Sequence, residues 1–229
     1  EEREGGVRAC GGLCRGGRGR AVGGRRGGCA GGGHASPRPG PDQRLREQAA
    51  ELVASARHPL MIAGGGGRYS RAEAELEAFG RQRGIPVVET IAGKGTLTHD
   101  HPLHIGPVGI LGSTSANALA AKADVIIAIG TRLMDFVTGS WTVFSPDARF
   151  IAINAARFDA HKHFSLPLVA DAREGLSELN AALGNYAVDA GWLDSGKTAF
   201  AAWNQLTAAR QPRTVPPGAI GRASGRARE

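Results

Sequence analysis

The stretch Asp124–Phe144, "DVIIAIGTRLMDFVTGSWTVF", decides how the chain is read. Its first part, Val125–Ile129, is apolar at every position and not at every second one. A strand of that kind is buried on both faces, as happens where helices cover both sides of a parallel sheet. The break at Gly130 opens a loop that carries Arg132, Asp135, Thr138, Ser140 and Trp141. That loop then lies at the carboxyl end of the strand, the end at which open α/β sheets take their ligands.

Working outward, "PLMIA" (59–63), "GIPVVET" (84–90), "RFIAIN" (149–154) and "LPLVAD" (166–171) read as further buried strands. Helical spacing separates them. "DQRLREQAAELVASA" (42–56) places Leu45, Ala49, Leu52 and Val53 on one face. Ser70 stands where it caps a helix whose apolar positions include Ala74, Leu76 and Phe79. Ser113 starts the Ala-rich "STSANALAAKA", and "AREGLSELNAAL" closes the run with Leu176, Leu179 and Leu183 aligned. "AGKGTLTHDHPLHIGPVGILG" (92–112) reads as one long loop. Alternating strands and helices predict a doubly wound parallel sheet of five to six strands, Rossmann-like and of nucleotide-binding-domain type, in three α/β/α layers. Its carboxyl-end loops are Gly64–Gly67, Thr90–Gly95, Gly130–Asp135, Asn154–Asp159 and Asp171.

The formal charge of +7 over 229 residues suggests a nucleic-acid binder until it is divided. Residues 1–40 hold eight Arg and three Glu, and residues 211–229 hold four Arg and one Glu. Residues 41–210 carry 16 basic and 17 acidic side chains. The basic character belongs to the ends, and the middle is nearly neutral. Residues 1–34, with 14 Gly and seven Arg, bury too little apolar surface to offset chain entropy and are expected to be a disordered arm. That arm lacks the Phe or Tyr that would stack on bases, which argues against nucleic acid as a partner. "SPRPGP" (36–41) reads as a plain linker.

All three cysteines, Cys10, Cys14 and Cys29, lie in this arm. With His34 they match no common zinc spacing, so no metal site is expected there. A core without cysteine needs no oxidising compartment and agrees with a cytoplasmic protein. No apolar run approaches the roughly 20 residues that span a bilayer, so no membrane partner is expected.

Candidate chemistry is sparse. "AGGGGRYS" (63–70) resembles a phosphate turn, in which glycines let the backbone approach a pyrophosphate and the next helix points its N–H groups at the anion. It is not a clean GxGxxG, because Tyr69 stands where the third Gly would fall, and a tight ligand-free turn fits equally. His99, His101 and His104, and then His161 and His163, fall in loops and read as solvated surface. "TGSWT" follows a loop and not a strand-to-helix elbow, so no nucleophile is indicated. No paired carboxylates stand out, and no catalytic residue is assigned.

The ordered run is more specific than its parts. "PLMIAGGGGRYS", "GIPVVETIAGKGTL", "GILGSTSANALAAKADVIIAIGTRLMDFVTGSW" follow one another as in the central domain of thiamine-diphosphate-dependent enzymes, the acetolactate synthase group. The resemblance covers about residues 43–185. "TRLMDFVTGSWTVF" and "FDAHKH" are most similar to the branch of acylhydrolases that opens a cyclic trihydroxy-1,2-dione in inositol breakdown.

That family has three domains. The first supplies a catalytic Glu and the third a GDG…N motif that holds Mg²⁺ and the thiamine diphosphate. This sequence has no GDG, and Glu89 in "VVETIAGKG" does not match the catalytic Glu. The resemblance therefore implies the middle part of an enzyme. Residues 186–210 would be a helical linker toward a further domain, and residues 211–229 a disordered basic tail. The Gly/Arg arm and this tail stand where flanking domains belong, which favours a truncated or mis-framed chain. The implied partners are those flanking domains, a homo-oligomer and, for the whole enzyme, a cyclic dione.

In the acetolactate synthases the central domain binds FAD. The matching flavin-contact positions are Gly64, Gly65, Gly66, Gly112, Ser113, Gly130, Arg132, Asn154 and Asp171. Two positions depart from the pattern: Asn154 replaces an acid, and Ala170 replaces the Gly before the final Asp. An added methyl and a lost acid work against a flavin, so a spacer that pairs subunits and positions the outer domains is expected. Arg132 is then expected to pair with Asp135 or with a phosphate, and Trp141 and Phe144 to pack against a neighbouring domain or subunit.

Overall fold

The computed structural model describes residues 37–209. The arm with its three cysteines and His34, and the basic tail, lie outside the described residues. Six strands form one parallel sheet: β1 (Pro59–Ala63), β2 (Val87–Glu89), β3 (His104–Pro107), β4 (Val125–Ile129), β5 (Arg149–Asn154) and β6 (Leu166–Val169). Their order across the sheet is β3-β2-β1-β4-β5-β6. The chain winds out from β1 to one edge and then from β4 to the other. The predicted doubly wound three-layer α/β fold is thus the one observed.

Eight helices accompany the strands among the described residues: α1 (Gln43–Ala54), α2 (Gly65–Ser70), α3 (Glu73–Arg83), α4 (Thr114–Ala120), α5 (Asp135–Thr138), α6 (Arg157–Ala160), α7 (Ala172–Ala182) and α8 (Ala190–Ala209). Pleating sends alternate residues of each buried strand to opposite layers. Met61, Ala63, Ile127, Ile129, Ile151 and Ile153 face one core with Val53, Leu76, Phe79, Leu176 and Leu179 of α1, α3 and α7. Leu60, Ile62, Ile126, Ala128 and Phe150 face the other with Ala116, Leu119 and Trp192 of α4 and α8. Two cores with one strand set between them explain why the strands are apolar throughout.

Register is tight at the centre, where β1 pairs with β4 from Pro59↔Val125 to Ala63↔Ile129. Helix ends are fixed by the residues that suit them. Asp42 accepts the Leu45 N–H at the start of α1, Ser113 the Ala116 N–H at the start of α4, and Asp171 the Arg173 N–H at the start of α7.

Three local expectations fail. The segment 92–112 is not all loop, since its four residues His104–Pro107 pair with β2 as the edge strand β3, with a register shift between Val87 and Glu89. Ser70 does not cap a helix. It ends α2, and its hydroxyl donates to Asp171 Oδ2 at 2.8 Å, while Ala72, just before α3, gives that helix no side-chain cap. The histidines of "HDHPLH" are not a solvated group. His104 is buried, and His101 accepts the Leu103 N–H on Nδ1 and faces Glu77 with Nε2.

α8 belongs to the packed layers over its first half. Trp192 is buried and donates its indole N–H to the Pro59 carbonyl at 2.8 Å. Gly196 lets α8 approach Leu119 and Ile105, since a Cβ there would meet their side chains at 2.9 and 3.1 Å.

Candidate functional site

The strand order reverses between β1 and β4, and the loops beyond their carboxyl ends define the crevice where such folds hold a ligand. Here glycine backbones fill it. The Gly64 N–H donates to the Ile129 carbonyl at 2.8 Å and the Gly66 N–H to the Gly130 carbonyl at 2.9 Å. A Cβ at Gly64 would lie 2.5 Å from the Gly130 oxygen, and one at Gly66 2.7 Å from the Gly130 Cα. Gly130 itself has φ +57°, a conformation that glycine adopts without steric cost. On the other side, Gly93 of the loop after β2 lies against the Ala63 carbonyl so closely that any Cβ would overlap it. The glycines at these positions allow close backbone contact within the chain, as a tight turn requires.

The remaining candidate positions are engaged locally. Gly112 folds back on Gly109 and Pro107, and Ser113 closes that turn through its N–H to the Pro107 carbonyl at 2.8 Å. The Ser113 hydroxyl oxygen accepts from Ser115 and from the Ala116 N–H, so it is committed to the start of α4. Asn154 donates to the Thr131 carbonyl at 3.2 Å and accepts the Ala156 N–H at 3.0 Å, bridging the loops after β4 and β5.

Asp171 is the most heavily used of the set. Its carboxylate accepts from Arg38 and the Arg173 N–H on Oδ1 and from Ser70 on Oδ2. Its own N–H donates to the Pro39 carbonyl at 2.9 Å. Burial would raise its pKa, but the hydrogen bonds from Ser70, Arg38 and the Arg173 amide, with the Arg38 charge, outweigh burial and hold it below the usual carboxylate value. A segment that reads as a plain linker, Arg38–Pro41, thus occupies the acid that the resemblance marks as a flavin contact.

Arg132 is exposed and makes no ion pair among the described residues. The expected Arg132–Asp135 pair is not formed, because Asp135 Oδ1 accepts both the N–H and the hydroxyl of Ser140, at 2.7 and 3.0 Å.

Glu89 also has a structural task. It is buried, accepts from Leu97 N–H at 2.9 Å and Gly95 N–H at 3.2 Å, and lies 3.4 Å from His104 Nε2. Its carboxylate folds the loop after β2 back onto the sheet. The described residues contain no group of three or more His, Cys, Asp or Glu side chains that could hold a metal ion. The described residues do not fit a Mg²⁺–diphosphate site.

The aromatic residues sit elsewhere than expected. Phe144 is a core residue, stacked edge-on against Phe150 at 5.3 Å. Trp141 is 38% exposed and contacts Phe144, Phe150 and His163, with ring centroids 6.0, 5.5 and 4.5 Å away. Phe150 is the second residue of β5, so this cluster lies toward the amino ends of the strands. A groove of about 580 Å³ lined by these aromatics lies there. The placement of Trp141 and Phe144 at the carboxyl edge is corrected: Phe150 at the start of β5 draws both toward the opposite end, and for Phe144 burial replaces an interface. Of the apolar loop Pro107–Gly112, only Ile110 and Leu111 are exposed.

Comparison with known proteins fits this picture. The model of the thiamine pyrophosphate enzyme central domain matches residues 46–179. The 3D-(3,5/4)-trihydroxycyclohexane-1,2-dione hydrolase of Listeria monocytogenes serotype 4b (strain F2365) is 42% identical over 163 residues, covering 67% of this chain and 26% of that protein. The protein of the same name from Bacillus subtilis (strain 168) is 44% identical over 147 residues, covering 64% and 23%. That from Geobacillus thermodenitrificans (strain NG80-2) is 41% identical over 153 residues, covering 67% and 24%. The chain spans about a quarter of the length of these relatives. With its doubly wound sheet and the match over 46–179, the chain belongs to the family of thiamine pyrophosphate enzyme central domains.

Proposed function

We propose that this chain is the central domain of a thiamine-diphosphate-dependent 3D-(3,5/4)-trihydroxycyclohexane-1,2-dione hydrolase acting in inositol breakdown. Its part in that enzyme is to space and orient the outer domains and to pair subunits. Thiamine diphosphate and Mg²⁺ would be held by the flanking domains, and the chain alone carries no dione-opening activity. About residues 43–185 form the domain, the first half of α8 packs on it, and the rest of 186–210 leads toward the next one. The observation that carries the reading is the 41–44% identity to proteins of that name, together with a switch-point crevice packed with the chain's own glycine backbone.

The second reading is a freestanding dinucleotide module, favoured only by the Gly-rich turn after β1. Titration calorimetry separates the two. The 229-residue chain is expected to give no binding heat with FAD, ADP or thiamine diphosphate plus Mg²⁺. Micromolar FAD binding that Gly66→Ala abolishes would favour the dinucleotide module. Micromolar thiamine diphosphate binding would contradict the spacer role.

A further inference from the structure

Seven of the ten large apolar side chains that are exposed among the described residues follow the carboxyl ends of strands β1 to β5, so exposure is concentrated at one end of the sheet. Single exposed apolar residues are ordinary, but a concentrated patch marks an interaction surface. Its centre is continuous. Ile110 and Leu111, after β3, are 58% and 70% exposed, and Met134 and Phe136, after β4, are 52% and 60% exposed. The two loops are joined by a hydrogen bond from the Ile110 N–H to the Phe136 carbonyl at 3.0 Å. Gly109 lies flush against that same carbonyl. The patch therefore rests on a fixed backbone, which suits docking without reordering.

Charge selects the occupant. At this end Asp159 is ion-paired with Lys162 and Asp171 with Arg38, while Asp135 keeps its charge and accepts hydrogen bonds from Ser140. Lys94, Arg132 and Arg157 are exposed and have no ion pair among the described residues. The apolar centre is thus accompanied by three exposed cations that form no ion pair among the described residues. A second copy of this chain would bring the same cations against these, which opposes self-association. A nucleotide would meet the charge but leave the four apolar side chains uncovered.

We infer that the carboxyl-end face centred on Ile110, Leu111, Met134 and Phe136 docks a carboxylate-bearing protein surface supplied by the remainder of the enzyme. This rests on the reading that the domain works inside a longer polypeptide, as the quarter-length match to its relatives supports.

The test is hydrogen exchange on two proteins. One is the 229-residue chain. The other is the Bacillus subtilis relative with its corresponding segment replaced by residues 43–209. Amides of 108–112 and 132–138 are expected to exchange at least about tenfold more slowly in the chimera, as burial against a partner suppresses local opening. Lys94→Glu with Arg132→Glu should remove that slowing, while the sheet amides of Ile126–Ile129 stay protected as a control of folding. Equal loop exchange in both proteins, with the sheet protected in both, would overturn the inference. So would slowing in the 229-residue chain that grows with its concentration, which would name a second copy, or that follows added ADP, which would name a nucleotide. Dione turnover by the chimera reports separately on the function. Turnover without loop protection defeats the docking face alone, and loop protection without turnover defeats the substrate assignment alone.

Discussion

Arg38 Nη1 lies 2.8 Å from Asp171 Oδ1, and the same nitrogen donates to the Ser70 carbonyl at 2.8 Å. These residues are 133 and 32 positions apart in the chain. The contact ties the segment before α1 to the end of α2 and the start of α7, beyond the carboxyl edge of the sheet. It uses up the carboxylate that the resemblance marks as a flavin contact.

Arg38→Ala should lower stability by about 1 kcal/mol, the range for a pair whose cation is partly exposed and screened by solvent. The pH dependence follows from the lowered Asp171 pKa. The unfolded carboxyl titrates near about 3.9. The pair's contribution is present in full above that value and is lost as pH falls through the lower folded value. Urea melts of the two proteins should differ at pH 7 and converge in strong acid. A difference that persists unchanged to pH 2 would show that Arg38 acts by packing instead.

Gly130→Ala should destabilise by about 3 kcal/mol, combining backbone overlap with the left-handed φ. A Cβ there would lie 2.5 Å from the Gly66 Cα. Gly184 also has positive φ, +54°, but a Cβ would meet nothing within 4 Å. Gly184→Ala should therefore cost only about 1 kcal/mol, the conformational part alone. Thermal or urea melts check the contrast. Equal losses at the two sites would mean that the glycine contact at the switch point is not tight.

Phe144→Ala should cost about 3 to 5 kcal/mol, the range for truncating a buried aromatic. Trp141→Ser should cost less, about 1 to 3 kcal/mol, because the ring is partly exposed yet stacked on two phenylalanines. Neither change should alter the association state by sedimentation, since the cluster lies toward the amino ends of the strands. A shift toward monomer on Trp141→Ser would restore an interface role for that residue.

Trp192→Phe should cost about 1 to 2 kcal/mol, through the lost bond to the Pro59 carbonyl and the smaller ring. A protein cut at residue 185 loses Trp192 and the cover that α8 gives β3 and α4. It should melt lower than one ending at 209, which differential scanning calorimetry would show. Equal melting would mean that α8 adds nothing to the core.

Much of the fold was legible because each central strand is apolar at consecutive positions and flanked by Gly or by a capping Ser or Asp. β3 was not, because its four residues include a histidine, a glycine at φ +107° and a proline. Each of those residue types signals a loop, and only pairing with β2 overrides them. Phe144 lay within an aromatic loop whose sequence cannot say which ring turns inward. Arg38 gives no signal in the sequence, because its partner is remote and its neighbours in "SPRPGP" carry no periodicity. In the sequence Ser70 reads as a cap and Asp171 as a ligand contact, and the side-chain bond between them joins elements that spacing does not connect. The Gly-rich turn is visible in the sequence, but the packing of Gly64 and Gly66 on Gly130 joins loops that spacing does not connect.

The measurement that bears most directly on the central claim is dione turnover by the Bacillus subtilis relative carrying residues 43–209 of this chain. If this domain is the central domain of such a hydrolase, the folded chimera should keep kcat/KM for 3D-(3,5/4)-trihydroxycyclohexane-1,2-dione within about tenfold of its parent, about 1.4 kcal/mol of transition-state stabilisation. A folded, thiamine-diphosphate-loaded chimera that joins two pyruvates but leaves the dione intact would contradict it.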